Sequence, residues 1–154
     1  MTEDVTTWTH TALVKRARAW LTNNQRCTVV MAELATTYNM ETPDAIGFYA
    51  SGGASILVEC KTSRADFLAD KNKVFRREEE RAMGDRRYFM VPAKLVKPEE
   101  VPDSWGLLEM HDKQVRETKE APFTAANKNA EIIMLVSALR RLELSTAVFV
   151  RHED

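Results

Sequence analysis

Hydrophobic residues recur at helical spacing near both ends of the chain. Leu13, Ala17, Trp20 and Leu21 are separated by intervals of three, four and seven positions, and this periodicity predicts an amphipathic helix over residues 11–22. A second periodic segment predicts a helix over residues 125–142. Its apolar positions are Ile132, Ile133, Leu135, Val136, Leu139 and Leu142.

Between these helices, short apolar segments rich in β-branched residues are typical of strands. They predict strands over residues 27–35, 42–50, 55–62 and 87–95. Ser51-Gly52-Gly53 is a turn signal that joins the second and third strands, so the first three strands should form an antiparallel meander. Residues 105–110 and 114–118 could form a short hairpin around Asp112-Lys113. Residues 146–150 could be a short strand or a partner-binding tail.

One long helix is predicted over residues 64–83. Ser63 is placed to cap its N-terminus with Asp66 three residues later, an acidic variant of the capping box, and Gly84 is suited to end it. The order of helix, three strands, helix and strand predicts an α/β layer fold. We expect a single domain over residues 1–154, with a core over about 11–95 and an accessory hairpin and helix over 105–150.

Composition places the chain among ordinary globular proteins. It has 154 residues, 44% of them apolar and 29% charged, with a net charge of -1, which fits one soluble domain. No apolar segment approaches the ~20 residues that span a bilayer, and the polar N-terminus lacks a secretory signal pattern. A cytoplasmic protein without membrane contact is therefore expected. Cys27 and Cys60 lie in apolar segments and should be buried thiols.

The candidate chemistry lies at the end of the third predicted strand. Because successive side chains of a strand face opposite sides, Glu59 and Lys61 share one face and Cys60 points into the core. Asp44, on the preceding strand, can approach Glu59 closely. Two neighbouring carboxylates repel each other unless a cation lies between them, and carboxylate oxygens suit the hard ions Mg²⁺ and Mn²⁺. Lys61 could then orient a water or stabilise charge on a phosphorus atom.

The pattern Pro43, Asp44, Glu59 and Lys61 resembles the signature of the PD-(D/E)XK nuclease superfamily. The order of elements over residues 11–95 is similar to its restriction-endonuclease-like αβββαβ core, a mixed central sheet flanked by helices. The segments 58–70 and 87–92 look most like the MmcB-like DNA-repair branch. This resemblance implies Mg²⁺- or Mn²⁺-dependent cleavage of DNA, with Asp44, Glu59, the Cys60 carbonyl and Glu33 as metal ligands and Asp44, Glu59 and Lys61 as catalytic residues.

Each feature also has a plainer interpretation. Asp44 could be a turn residue, and Glu59 and Lys61 could protect an exposed edge strand, although the apolar residues before them favour a central strand. Ser63, Lys71, Lys73 and Arg77 are candidate DNA contacts, but Ser63 could serve only as a helix cap and the basic residues could form a solvated helix face with ion pairs. Asp66 and Asp70 are expected to be structural first-turn acids, and His10, His111 and His152 show no metal-ligand spacing.

The leading hypothesis is therefore a DNA nuclease that acts in DNA repair or in phage or plasmid DNA processing. Because no base-reading module is evident, we expect it to select DNA structures or ends and not a base sequence. RNA is a less favoured substrate. The alternative is a catalytically silent module that binds nucleic acid or protein on the same fold. The apolar C-terminal helix makes a homodimer a further expectation.

Overall fold

The computed structural model describes residues 7–34 and 41–142. Four α-helices lie within these ranges: α1 (His10–Ala19), α2 (Arg64–Ala69), α3 (Val74–Arg77) and α4 (Lys128–Arg141). Six strands lie there too: β1 (Val29–Ala32), β2 (Ala45–Phe48), β3 (Ser55–Cys60), β4 (Arg86–Pro92), β5 (Gly106–His111) and β6 (Gln114–Lys119). The segment proposed as a strand or tail over residues 146–150 lies outside the described residues.

The six strands form one mixed sheet in the order β1-β2-β3-β4-β5-β6. The first three strands are antiparallel, as the meander predicted, while β3, β4 and β5 are parallel and β6 is antiparallel to β5. Gly52 and Gly53 have φ values of 77° and 66° in the turn between β2 and β3, a region that glycine occupies readily. The expected mixed α/β class with a central sheet flanked by helices is confirmed.

The core is divided by the sheet into two apolar layers. Alternate residues of β3 face opposite layers: Ile56, Val58 and Cys60 pack with α1, and Leu57 packs with α2 and α4. Since β3 has a neighbour on each side and all six of its residues are buried, it is a central strand. The interpretation of Glu59 and Lys61 as protection for an exposed edge is therefore wrong.

The single helix expected over residues 64–83 is wrong. Ser63 caps α2 as predicted, since its Oγ accepts a hydrogen bond of 3.1 Å from the Asp66 N–H, but α2 ends at Ala69. A 3₁₀ turn over Asp70–Asn72 follows, and Lys73 adopts an extended backbone conformation with ψ of 141° before α3 begins. The incomplete apolar stripe of this segment agrees with the break, because too few apolar side chains share one face to bury a continuous helix.

The segments expected to be accessory continue the main structure. The hairpin β5–β6 turns at Asp112-Lys113 as predicted, and β5 contributes buried Leu107 and Leu108 to the two layers. Helix α4 buries Ala130 and Met134 but leaves Ile132, Val136 and Leu139 exposed at 58%, 50% and 52%. The homodimer stays a prediction. Within the described ranges, every helix is too short or too polar to cross a bilayer.

Candidate functional site

Three elements bring the predicted catalytic residues to one end of the sheet. Glu59 is the penultimate residue of β3, Lys61 follows the strand on the same face, and Asp44 immediately precedes β2. The side chains of Asp44, Glu59 and Lys61 line one cavity of about 330 Å³. We refer to these three residues as the carboxylate–lysine site. The alternation of strand side chains therefore gave the correct grouping.

Asp44 is fixed by bonds from two directions. Its Oδ2 accepts a hydrogen bond of 2.7 Å from the backbone N–H of Cys60, and its Oδ1 lies 3.2 Å from Nε2 of His10 at the start of α1. The first bond ties the segment before β2 to the end of β3, beside Glu59. Asp44 therefore does more than form a turn, and the backbone of Cys60 belongs to the site. Coordination by the Cys60 carbonyl stays a prediction.

Glu59 is a buried acid in an electrostatically crowded position. Burial and the nearby Asp44 carboxylate raise the pKa of Glu59 to about 8, against the partial compensation of Lys73 and Arg76. These two cations lie 3.7 Å from its carboxylate oxygens. A carboxyl group with so high a pKa holds its proton near neutral pH unless further positive charge arrives. A divalent cation beside Glu59 and Asp44 would supply such charge, and binding of Mg²⁺ or Mn²⁺ by these two acids stays a prediction.

Lys61 is paired with Asp70, an acid that was expected to be only a structural first-turn acid of a helix. Its Nζ lies 3.0 Å from Oδ1 of Asp70, and the side chain of Lys61 is only 11% exposed. The backbone N–H of Lys61 also donates to the carbonyl of Met90 on β4, at 3.0 Å. The lysine is therefore anchored at both its backbone and its ammonium group.

Glu33, the fourth predicted metal ligand, lies on the solvent side of the same site. Its carboxylate approaches Nδ1 of His10 at 3.5 Å. His10, Glu33 and Asp44 each offer one ligand atom, and these atoms lie within 4.8 Å of one another. A neutral imidazole has a single N–H, so it cannot donate to both carboxylates at once. The nitrogen and oxygen donors of these three residues could hold a metal ion.

The four predicted DNA contacts lie at different points of the segment that contains α2 and α3. Ser63 precedes α2, Lys71 and Lys73 lie in the break between the two helices, and Arg77 ends α3. Lys73 reaches the site, where its Nζ lies 3.7 Å from Glu59 and 3.2 Å from Asp70. Arg77 is exposed and donates to the Asn72 carbonyl at 3.2 Å, and Lys71 is exposed nearby. Ser63 serves as the cap of α2. A DNA-binding role for these four residues stays a prediction.

Sequence reasoning missed three residues of the site: His10, Asp70 and Arg76. His10 lies 34 positions before Asp44 in the numbering, so no local spacing could connect them. Asp70 is buried and also accepts a hydrogen bond of 2.5 Å from Nε of Arg76. A charged pair six residues apart would not face itself on a regular helix, and only the helix break makes this contact.

The fold and the site together define a mixed α/β protein with acids and a lysine clustered at the end of a central strand. Neither models of known protein families nor curated proteins match the chain. A solved structure described as the SPO1766 protein of unknown function from Silicibacter pomeroyi is similar, with a TM-score of 0.63 and 24% identity over 85% of this chain and 86% of that one. This similarity supports the fold and carries no information on activity.

Proposed function

We propose that the chain is a Mg²⁺- or Mn²⁺-dependent nuclease that hydrolyses phosphodiester bonds in DNA. The observation that carries the proposal is the convergence of Asp44, Glu59 and Lys61 on one cavity of about 330 Å³. Burial, and then the Asp44 carboxylate, raise the pKa of the Glu59 carboxyl group beside this cavity. Perturbed carboxyl groups in a cavity are more common at functional sites than elsewhere.

Asp44 and Glu59 would hold the ion, with Glu33 and His10 on its outer side. When bound, a divalent ion polarises a phosphoryl oxygen and lowers the pKa of a coordinated water. Lys61 would orient the attacking water or stabilise the negative charge that develops on the phosphoryl oxygens. Each of these roles uses a group that the fold already fixes in place, which is the condition for electrostatic catalysis.

The proposal includes the substrate and the compartment. The basic residues Lys71, Lys73 and Arg77 follow Lys61 along the chain, on the segment that borders the site. A phosphate backbone could track this segment without contacts to base edges, so we infer selectivity for DNA structure or ends. The proposal keeps the cytoplasmic location that the sequence led us to expect.

Cleavage of linear, branched and plasmid DNA with Mn²⁺ tests the proposal directly. Wild type should cleave at least one substrate, and Lys61→Ala should reduce kcat by about 100-fold or more, because one electrostatic donor in such a site contributes on the order of 3 kcal/mol. Lys113→Ala, in the exposed β5–β6 turn, is the matched control and should retain the wild-type rate. DNA binding without any cleavage would favour the silent binding module instead, and parallel RNA substrates would reveal an RNA nuclease.

A further inference from the structure

Asp70 is a buried carboxylate in contact with three cations. Only 3% of its side chain is exposed. Its Oδ1 lies 3.0 Å from Nζ of Lys61 and 3.2 Å from Nζ of Lys73, and its Oδ2 lies 2.5 Å from Nε of Arg76. We call these four residues the Asp70 cluster. Burying a charge is costly unless it is paired, so this arrangement stabilises one geometry of its members.

The chain departs from regular helix geometry at the point where the cluster forms. In a continuous helix, Asp70 and Arg76 would be separated by about 9 Å along the axis and by roughly a third of a turn. The 3₁₀ turn over Asp70–Asn72 and the extended backbone of Lys73 bring the two side chains together. The break removes helical hydrogen bonds that a continuous helix would have kept. We attribute it to the ionic contact between Asp70 and Arg76, which forms in their place.

We propose that Asp70 is a positioning residue that holds the Lys61 ammonium group in its working place. The inference rests on the nuclease function proposed above and extends it, because Asp70 lines the same cavity but is not one of the three residues assigned to catalysis. Lysine has a flexible four-carbon stem with a compact charge at its end. Its position is therefore poorly defined until a fixed acceptor holds it.

Asp70 is itself fixed well enough to act as that acceptor. Arg76 occupies the second carboxylate oxygen, and the guanidinium carbon of Arg76 lies 4.3 Å from the ring centre of Trp105 in the buried layer. A guanidinium group that is planar and stacked on an aromatic ring loses little freedom when it donates a further bond. Trp105 thus orients Arg76, Arg76 orients Asp70, and Asp70 orients the ammonium group of Lys61.

Two members of the Asp70 cluster, Lys73 and Arg76, also approach Glu59 of the carboxylate–lysine site. Lys73 lies between Asp70 and Glu59, and Nη2 of Arg76 lies 3.7 Å from Oε1 of Glu59. Asp70 thus sets the spacing between the positive and negative groups on this face of β3. Burial opposes ionisation of Asp70, but Arg76 and Lys61 outweigh it and lower the pKa of this carboxyl group, so it stays charged at neutral pH.

Kinetics of Asp70→Asn test the proposal. We expect kcat to fall by about 100-fold, as displacement of a catalytic group by about 1 Å can cause, while KM stays within about twofold of wild type because substrate contacts are retained. Asp85→Asn is the matched control, since Asp85 is also buried and paired, with Lys128 Nζ at 2.5 Å, but contacts Ser55 at the far end of β3. The control should keep its kcat after correction for the folded fraction.

If kcat falls in both Asp70→Asn and Asp85→Asn only in proportion to the unfolded fraction of each variant, the proposal is overturned and Asp70 is a purely structural residue. An unchanged kcat in folded Asp70→Asn would overturn it as well. Both variants are compared below their unfolding temperatures, with the folded fraction taken from circular dichroism.

Amine labelling of lysines, followed by mass spectrometry, gives a readout that needs no cleavage activity. In folded wild type, Lys61 should react with an acetylating reagent more slowly than exposed Lys71, and Asp70→Asn should accelerate Lys61 relative to Lys71. Equal rates for Lys61 and Lys71 in wild type would contradict the proposal even if the variant failed to fold. If wild type cleaves no DNA, the nuclease function fails, and the labelling rates still decide whether Asp70 holds Lys61.

Discussion

The backbone N–H of Cys60 donates a 2.7 Å hydrogen bond to Oδ2 of Asp44. The bond joins the entrance of β2 to the exit of β3 and leaves the other oxygen of Asp44 directed toward His10, at 3.2 Å. The position of this carboxylate is therefore set by a backbone group whose place depends on the sheet register. Substitution of the residue at position 60 should leave the bond intact, whereas a change at Asp44 removes it.

Glu59→Gln should change how stability depends on pH. Burial and the Asp44 carboxylate raise the pKa of Glu59 from 4.5 to about 8, so the folded protein retains a proton that the unfolded chain releases. The stability that protonated Glu59 contributes to the folded protein is fully present below pH 4.5 and is lost as the pH rises through about 8. The loss amounts to about 1.4 kcal/mol for each unit of difference between the folded and unfolded pKa values. Without metal, Glu59→Gln should abolish a fall of about 5 kcal/mol over this pH range.

Urea unfolding of wild type and of Glu59→Gln at acidic and alkaline pH measures the two free energies of unfolding and checks this prediction. A wild-type free energy of unfolding that matches Glu59→Gln at every pH would show that the acid is solvated. Addition of Mn²⁺ should stabilise wild type more at alkaline pH than at acidic pH, because the ion binds the deprotonated acid.

His10→Ala should weaken Mn²⁺ binding more than Mg²⁺ binding. The imidazole lies beside Asp44 and Glu33, and Mg²⁺ prefers oxygen ligands whereas imidazole suits transition metals better. We expect about a tenfold loss of Mn²⁺ affinity, equivalent to about 1.4 kcal/mol, measured by isothermal titration calorimetry. His111→Ala is the control, because His111 pairs with Glu109 on β5 at 3.1 Å. Equal effects of the two substitutions on Mn²⁺ would remove His10 from the site.

Arg76→Ala should strongly destabilise the fold. Arg76 neutralises buried Asp70, approaches Glu59 and stacks on Trp105, so its removal leaves buried acids with fewer counter-charges. Loss of one partner of a buried ion pair costs on the order of 3 kcal/mol. Arg77→Ala, at the next position but exposed, should change the free energy of unfolding by less than about 0.5 kcal/mol. Denaturant midpoints compare the two, and a small effect at Arg76 would mean that Lys61 and Lys73 suffice.

The surface next to the site should carry the salt dependence of DNA binding. Lys71→Ala combined with Arg77→Ala removes two exposed cations from the segment after α2, so the slope of log K against log salt concentration should decrease by about 2. Fluorescence anisotropy between about 50 and 200 mM salt measures this slope. Lys113→Ala should leave it unchanged, and an unaltered slope in the double variant would place the DNA on another surface.

Sequence alone determined those features that depend on neighbouring residues. Strand alternation placed Glu59 and Lys61 on one face with Cys60 on the other, the Gly52-Gly53 turn set Asp44 beside them, and β-branched segments located the strands. The mixed α/β class followed from the order of these elements. In each case the relevant interactions are local or repeat with a fixed period, so one-dimensional patterns contain them.

Tertiary structure alone decided the break between α2 and α3, the burial of Asp70 and the approach of His10 to Asp44. The capping residues at its two ends favoured one long helix over residues 64–83, but the contact of Asp70 with Arg76 forms only because the helix breaks between them. The partner of each charge lies on a distant element, and burial in the folded protein makes the pairing necessary. Such energies depend on the three-dimensional surroundings of a side chain, which the periodicity of its own segment does not contain.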